Sequence, residues 1–194
     1  MQASKVNFEI YFKSVLNDKD LEHHVPEILD HFQLLALQKN DFFVKAGNVC
    51  KYFCYIESGI LQHAIDVLGE EKTTYLALKN SLTSALNSFK NKVPSRKSIK
   101  ALFDCQLWVI DIETFNDLLN TNVAFNRFYY NLIEHQIFRI DDYRIDLLTL
   151  TPEERYKKLL NNESELLQKV PLHYLASFLG ISSRHMSRIR KNIK

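Results

Sequence analysis

The residues best placed to do chemistry sit near the C-terminal end of this 194-residue chain. There the order runs Ser182, Ser183, Arg184, His185, Met186, Ser187, Arg188, Ile189, Arg190, Lys191. On a helix, Met186 and Ile189 share one face at a spacing of three, and that apolar face must turn inward. Ser183, Arg184, Ser187 and Arg188 are then left facing out near the helix N-terminus. A guanidinium held there can donate two parallel hydrogen bonds to O6 and N7 of a guanine in the major groove. Arg190, Lys191 and Lys194 suit backbone phosphates, which position a protein on a duplex without reading its bases.

Such a helix needs a partner to hold it, and one is legible just upstream. Leu172, Leu175, Ala176 and Leu179 recur at helical spacing, with Ala176 small where two crossing helices come closest. Gly180 can take the left-handed conformation of a sharp turn, Ile181 fills that turn, and Ser182 offers an oxygen to cap the second helix. A helix-turn-helix is expected. Before it, Thr151-Pro152-Glu153-Glu154 reads as a helix start, with threonine at the N-cap, proline in the first turn and Glu154 closing a capping box. That helix should run to about Leu160, and a short one should follow around Ser164–Lys169.

Charge supports the assignment. From Thr151 onward there are nine Lys/Arg against four Asp/Glu, whereas residues 1–150 carry 16 against 19. A small basic segment joined to a mildly acidic body is the pattern of a phosphate-seeking module.

Farther upstream, Thr121-Asn122 precedes a run to about Leu148 without Gly or Pro. Tyr130, Ile133, Ile137, Ile140 and Leu147 fall on one seam, and Phe125, Phe128, Tyr129 and Leu132 on another. A helix apolar on two faces must bury both. One face can pack on its own chain and the other asks for a second copy, so this is the expected dimerisation helix. Between Gln33 and Ile110 the texture is that of short strands: Leu34–Gln38, Phe42–Lys45, Tyr52–Ile56, Ile60–Val67, Thr73–Leu78, Ile99–Phe103 and Leu107–Asp111. They are separated by turn signals such as Gly47-Asn48 and Ser58-Gly59, as in a sandwich or barrel. Residues 7–17 suit a helix, and Asp20 is expected to cap the next one, which contains Leu21 and Ile28.

Other function classes find little support. No apolar stretch approaches a membrane span, and the N-terminus lacks a signal-peptide core, so a cytoplasmic location is expected. Cys50, Cys54 and Cys105 read as small buried side chains. The histidines (His23, His24, His63, His135, His173 and His185 among them) are scattered, with surface or hydrogen-bonded roles expected. No catalytic constellation, metal site or cofactor motif is visible.

Two stretches carry a family resemblance: Asn40-Asp41-Phe42-Phe43-Val44-Lys45-Ala46-Gly47, and Tyr52-Phe53-Cys54-Tyr55-Ile56-Glu57-Ser58-Gly59-Ile60-Leu61. With the helix-turn-helix, they make the chain resemble the catabolite-activator and fumarate–nitrate-regulator (CRP/FNR) superfamily along nearly its whole length. The resemblance implies an α+β fold: a cyclic-nucleotide-binding-type β jelly-roll barrel, a long dimerisation helix and a C-terminal all-α helix-turn-helix. It implies a sensor-like domain over 1–120, the dimerisation helix over 121–150 and a DNA-binding domain over 151–194. It also implies base-reading positions at Ser183, Arg184 and Arg188. The implied partners are double-stranded DNA, a second copy of the chain, RNA polymerase and an unidentified small-molecule effector.

Two departures qualify what the family would predict. Its nucleotide-binding members carry a Gly-Glu pair and a later arginine for the cyclic phosphate. Here Ser84 and Ala85 replace the pair, and Ser95 stands where the arginine belongs, with Arg96 one residue off. In a strand that offset turns a side chain to the other face. Cyclic nucleotide is therefore not the expected effector, and a bulge at Arg96 is the one route back to it. The chain also stops three residues after Lys191, so no β-wing is expected. The rival class is a ligand-binding or protein-interaction module on the same fold that has lost DNA binding.

Overall fold

The computed structural model describes residues 5–162 and 168–192. Its strands are β1 (Gln33–Leu37), β2 (Phe42–Val44), β3 (Tyr52–Ser58), β4 (Ile60–Val67), β5 (Glu70–Leu78), β6 (Leu82–Thr83), β7 (Ser98–Ala101) and β8 (Cys105–Asp111). They form two four-stranded antiparallel sheets, ordered β1-β8-β3-β6 and β2-β7-β4-β5. This is the expected jelly roll. Its ladders end at β1 and β6 in one sheet and at β2 and β5 in the other, so there is no closed hydrogen-bonded ring. Consecutive strands β3 and β4 belong to different sheets, and the chain switches between them at Gly59. Its φ is +93°, and a Cβ there would lie 2.8 Å from the Asp104 carbonyl oxygen and closer still to Cys105 Sγ. Only glycine fits a corner that is both left-handed and closely overlaid.

Helices flank the sheets: α1 (Val6–Leu16), α2 (Val25–Asp30), α3 (Leu86–Asn91), α4 (Ile112–Thr121), α5 (Val123–Thr149), α6 (Pro152–Asn162), α7 (Leu172–Phe178) and α8 (Ser183–Asn192). Asp20 does not cap a helix. Asp18, in extended backbone, accepts from the Asp20 N–H at 3.1 Å and opens a 3-10 turn over Lys19–His24, and α2 starts only at Val25. The six-residue α3 and two-residue β6 have no counterpart in the sequence reading, because neither is long enough to show a period.

Aromatic stacking closes the core. Phe8 stacks on Tyr55 at 4.2 Å between centroids, and Phe12 on Phe128 at 3.7 Å. Phe115 meets Phe53, Phe89 and Phe125 edge-on. These contacts seat α1 between the jelly roll and α5. The Asn131 amide donates to the Val15 and Leu16 carbonyls, both at 3.0 Å, satisfying groups that the end of α1 leaves orphaned.

The long helix has the two faces its sequence demanded. Asn122 caps it by accepting from the Phe125 N–H at 3.0 Å. Phe125, Phe128 and Leu132 are buried against the core. On the other face Tyr130, Ile137, Ile140 and Leu147 are 63%, 57%, 59% and 43% exposed, too much apolar surface for a helix with no further covering. Phe138, Ile145 and Leu148 widen this face, whereas Ile133 is half-buried and turns toward the interior.

Candidate nucleic-acid interface

The helix-turn-helix is built as its residues require. At the end of α7 the Gly180 N–H donates to the Ser177 carbonyl at 3.1 Å and the Ile181 N–H to Ala176 at 3.0 Å. Gly180 has φ +70°, and an added Cβ would meet nothing within 4 Å, so the need for glycine is one of dihedral angle alone. Ser182 Oγ then accepts from the His185 N–H at 3.2 Å, capping α8. Leu175, Ala176, Leu179, Met186 and Ile189 are buried between the two helices, with Tyr156 of α6 and Val170. This core is not self-contained, because Ile60, Leu76 and Leu102 of the jelly roll belong to the same cluster.

Polar contacts fix the docking. The Thr73 N–H of β5 donates to Ser177 Oγ at 2.8 Å. The Tyr143 hydroxyl of α5 donates to the Phe178 carbonyl at 3.2 Å, and the two rings stack. Burial pushes that hydroxyl above its usual range. At the start of α6 the capping box forms as read: Glu154 Oε2 accepts from the Thr151 N–H and hydroxyl, both at 2.8 Å. The helix expected around Ser164–Lys169 lies mostly outside the described residues.

This framework leaves Ser183, Arg184, Ser187, Arg188, Arg190 and Lys191 exposed along α8, with the capping Ser182 at its head. Lys194 lies outside the described residues. One contact was invisible in the sequence because it spans 32 positions: His185 Nε2 lies 3.2 Å from Glu153 Oε1, tying α8 to the first turn of α6. The Glu153 carboxyl is held below its usual range by its own backbone N–H first, then by His185, with the charge of Arg188 adding to the effect.

The degenerate effector positions are occupied otherwise. Ser84 donates to the Tyr52 carbonyl at 2.9 Å, and Ala85 is a buried methyl group just before α3. Ser95 lies in the turn before β7 and donates to the Lys97 carbonyl at 2.6 Å. Arg96 is exposed, so no bulge brings it inward.

The inward side chain is Lys97. It lines a cavity of about 560 Å³ whose walls come from the jelly roll, α5, α6 and the end of α7. His63 lines the same space and is only 2% exposed. Its Nε2 lies 2.8 Å from Thr83 Oγ1, but its Nδ1 has no partner. The expectation of a surface or satisfied histidine therefore fails at His63. Burial, then the charge of Lys97, holds its imidazole well below the ordinary range. Burial also lowers the Lys97 ammonium. A signal for Lys97 was present, since period-two alternation back from Ala101 and Ile99 places it on the inner face with Ser95.

Residues 34–122 match the family model described as the cyclic nucleotide-binding domain. Among solved structures, the Thermus thermophilus catabolite activator protein is 20% identical, with TM-score 0.58 over 92% of this chain and 86% of that one. FixK2 from Bradyrhizobium japonicum is 12% identical, with TM-score 0.70 over 84% of each. The c-di-GMP responsive global regulator CLP of Xanthomonas campestris is 16% identical, with TM-score 0.67 over 88% of this chain and 90% of that one. No curated protein matches the chain significantly. Residues 34–122 thus form a cyclic nucleotide-binding-type domain, and the chain shares its fold with these three structures.

Proposed function

We propose that the chain is a sequence-specific DNA-binding transcription regulator of the CRP/FNR type, working as a cytoplasmic homodimer and not as an enzyme. The observation that carries this reading is the capped helix α8, anchored by Met186 and Ile189, whose arginines at 184 and 188 stand exposed one turn apart. Residues 151–194 act as the DNA-binding domain, 121–150 as the dimerisation helix and 1–120 as the sensor-like domain. Two copies pairing along Tyr130, Ile137, Ile140 and Leu147 bury the exposed face of α5. Pairing sets their reading helices about 34 Å apart, one turn of a pseudo-palindromic site. RNA polymerase is the further partner that this reading implies. Ser84, Ala85 and Ser95 offer no charge partner for a cyclic phosphate, so gating by a cyclic nucleotide is not part of the proposal.

Binding of purified chain to duplexes, titrated with salt, tests the reading. Affinity should fall steeply as salt rises, through counterion release. Arg188→Ala should relax the preference at one base pair by about 1–3 kcal/mol, whereas Lys191→Ala should weaken all sequences alike and shallow the salt slope by about one unit. A protein that retains no duplex at low salt, or ignores both changes, belongs to the rival class of binding modules.

A further inference from the structure

The cavity between the jelly roll, α5 and the helix-turn-helix segment stands apart from the outward arginines. From its lining we infer that it binds a small, largely apolar carboxylate, seated by Lys97 and His63. The inference deepens the regulator reading by naming the chemistry of its effector, but binding itself can be measured without DNA.

Charge argues first. The wall carries four cationic side chains, Lys97, Arg139, Arg155 and Lys158, against two carboxylates, Asp142 and Asp146. Asp146 is already held by Lys158 at 2.6 Å. Lys97 makes no ion pair among the described residues and sits on the inner face of β7's approach, beside buried Ser95. A half-buried ammonium lining a concave pocket favours an anion there, because a partly buried pair is screened less than one on an open surface.

Hydrogen bonding argues second. His63 is buried and neutral, and its Nδ1 has no partner. When the Thr83 hydroxyl donates to Nε2, the proton resides on Nδ1, and that N–H then requires an acceptor. A carboxylate takes one bond from His63 and another from Lys97.

The remaining lining sets the body of the ligand. Phe53, Leu82, Leu86, Leu132 and Ile133 are apolar, and about 560 Å³ lies in the range of small-molecule sites. The expected phosphate cassette offers a nucleotide little: Ser84 is bonded to the Tyr52 carbonyl and Ser95 to that of Lys97, and Ala85 has no polar side-chain atom. Phe178 and Leu159 complete the wall, so an occupant would touch the DNA-reading segment directly.

Isothermal titration of the full chain tests this with octanoate, octan-1-ol and cyclic AMP as probes. Octanoate should bind at one site per chain. Lys97→Met should weaken it by about tenfold or more while leaving octan-1-ol unchanged. Lys97→Arg should retain octanoate, and Arg96→Met should not alter it. Absence of octanoate binding, equal affinity in Lys97→Met, loss in both Lys97 variants, or tighter binding of cyclic AMP overturns the inference. None of these results bears on duplex binding, so the two readings fail separately.

Discussion

The jelly roll and the C-terminal helices solve the burial problem in opposite ways. The first is held by long-range stacking of large rings, Phe8 on Tyr55 and Phe12 on Phe128, in a core that takes no residue from the second. The second is small, and it closes its core only by taking Ile60, Leu76 and Leu102 from the jelly roll. A module that borrows part of its core has its orientation set by its lender. Docking thereby fixes where the outward arginines point, and any change in the jelly roll that shifts β4 or β5 is transmitted to them.

Changes to each core should separate the two regions. Phe128→Ala removes the ring stacked between α1 and α5, and should cost about 3–5 kcal/mol of global stability by chemical denaturation. Leu76→Ala, on the shared surface, should cost about 2–5 kcal/mol. Its distinguishing mark should be faster hydrogen exchange in α7 and α8 than in β3 or β8. Uniform exchange in both would mean that the C-terminal helices are not a separable unit.

A pH titration sharpens the same contrast. The His63 pKa is far below its unfolded value of 6.5, so the unfolded state takes up a proton that the folded state refuses. Stability therefore falls as pH drops below 6.5, by up to about 1.4 kcal/mol per unit from this group. Between pH 6.5 and 5 that slope should vanish in His63→Phe. The smallest effects belong to the turn and its anchor. Gly180→Ala should cost about 1 kcal/mol from its left-handed dihedral. Ser177→Ala, which deprives the Thr73 N–H of its acceptor, should cost about 1 kcal/mol and loosen α7 from β5.

The two regions also differ in how much of them the sequence discloses. The helix-turn-helix is contiguous, and each of its parts (the Thr151–Glu154 box, the Gly180 turn, the Ser182 cap and the Met186/Ile189 face) is a local pattern that the fold reproduces. The strands of the jelly roll and the two faces of α5 were legible for the same reason, since period two and period 3.6 are local properties. What stayed hidden is non-local. His63, Thr83 and Lys97 come from three separate strands or loops, and only the folded sheets bring them to one cavity. The His185–Glu153 contact joins two helices across the turn, and no spacing rule announces it. Asp18 displaced Asp20 as a cap because the choice between two neighbouring aspartates rests on a backbone angle that composition does not encode.

The most direct test of the central claim is selection of duplexes from a random DNA pool by the intact chain. The account predicts enrichment of a symmetric motif whose half-sites lie about one helical turn apart, with loss of one preferred base pair in each half-site for Arg188→Ala. Recovery of no motif, or of one that is neither two-fold nor altered by removal of that guanidinium, would contradict it.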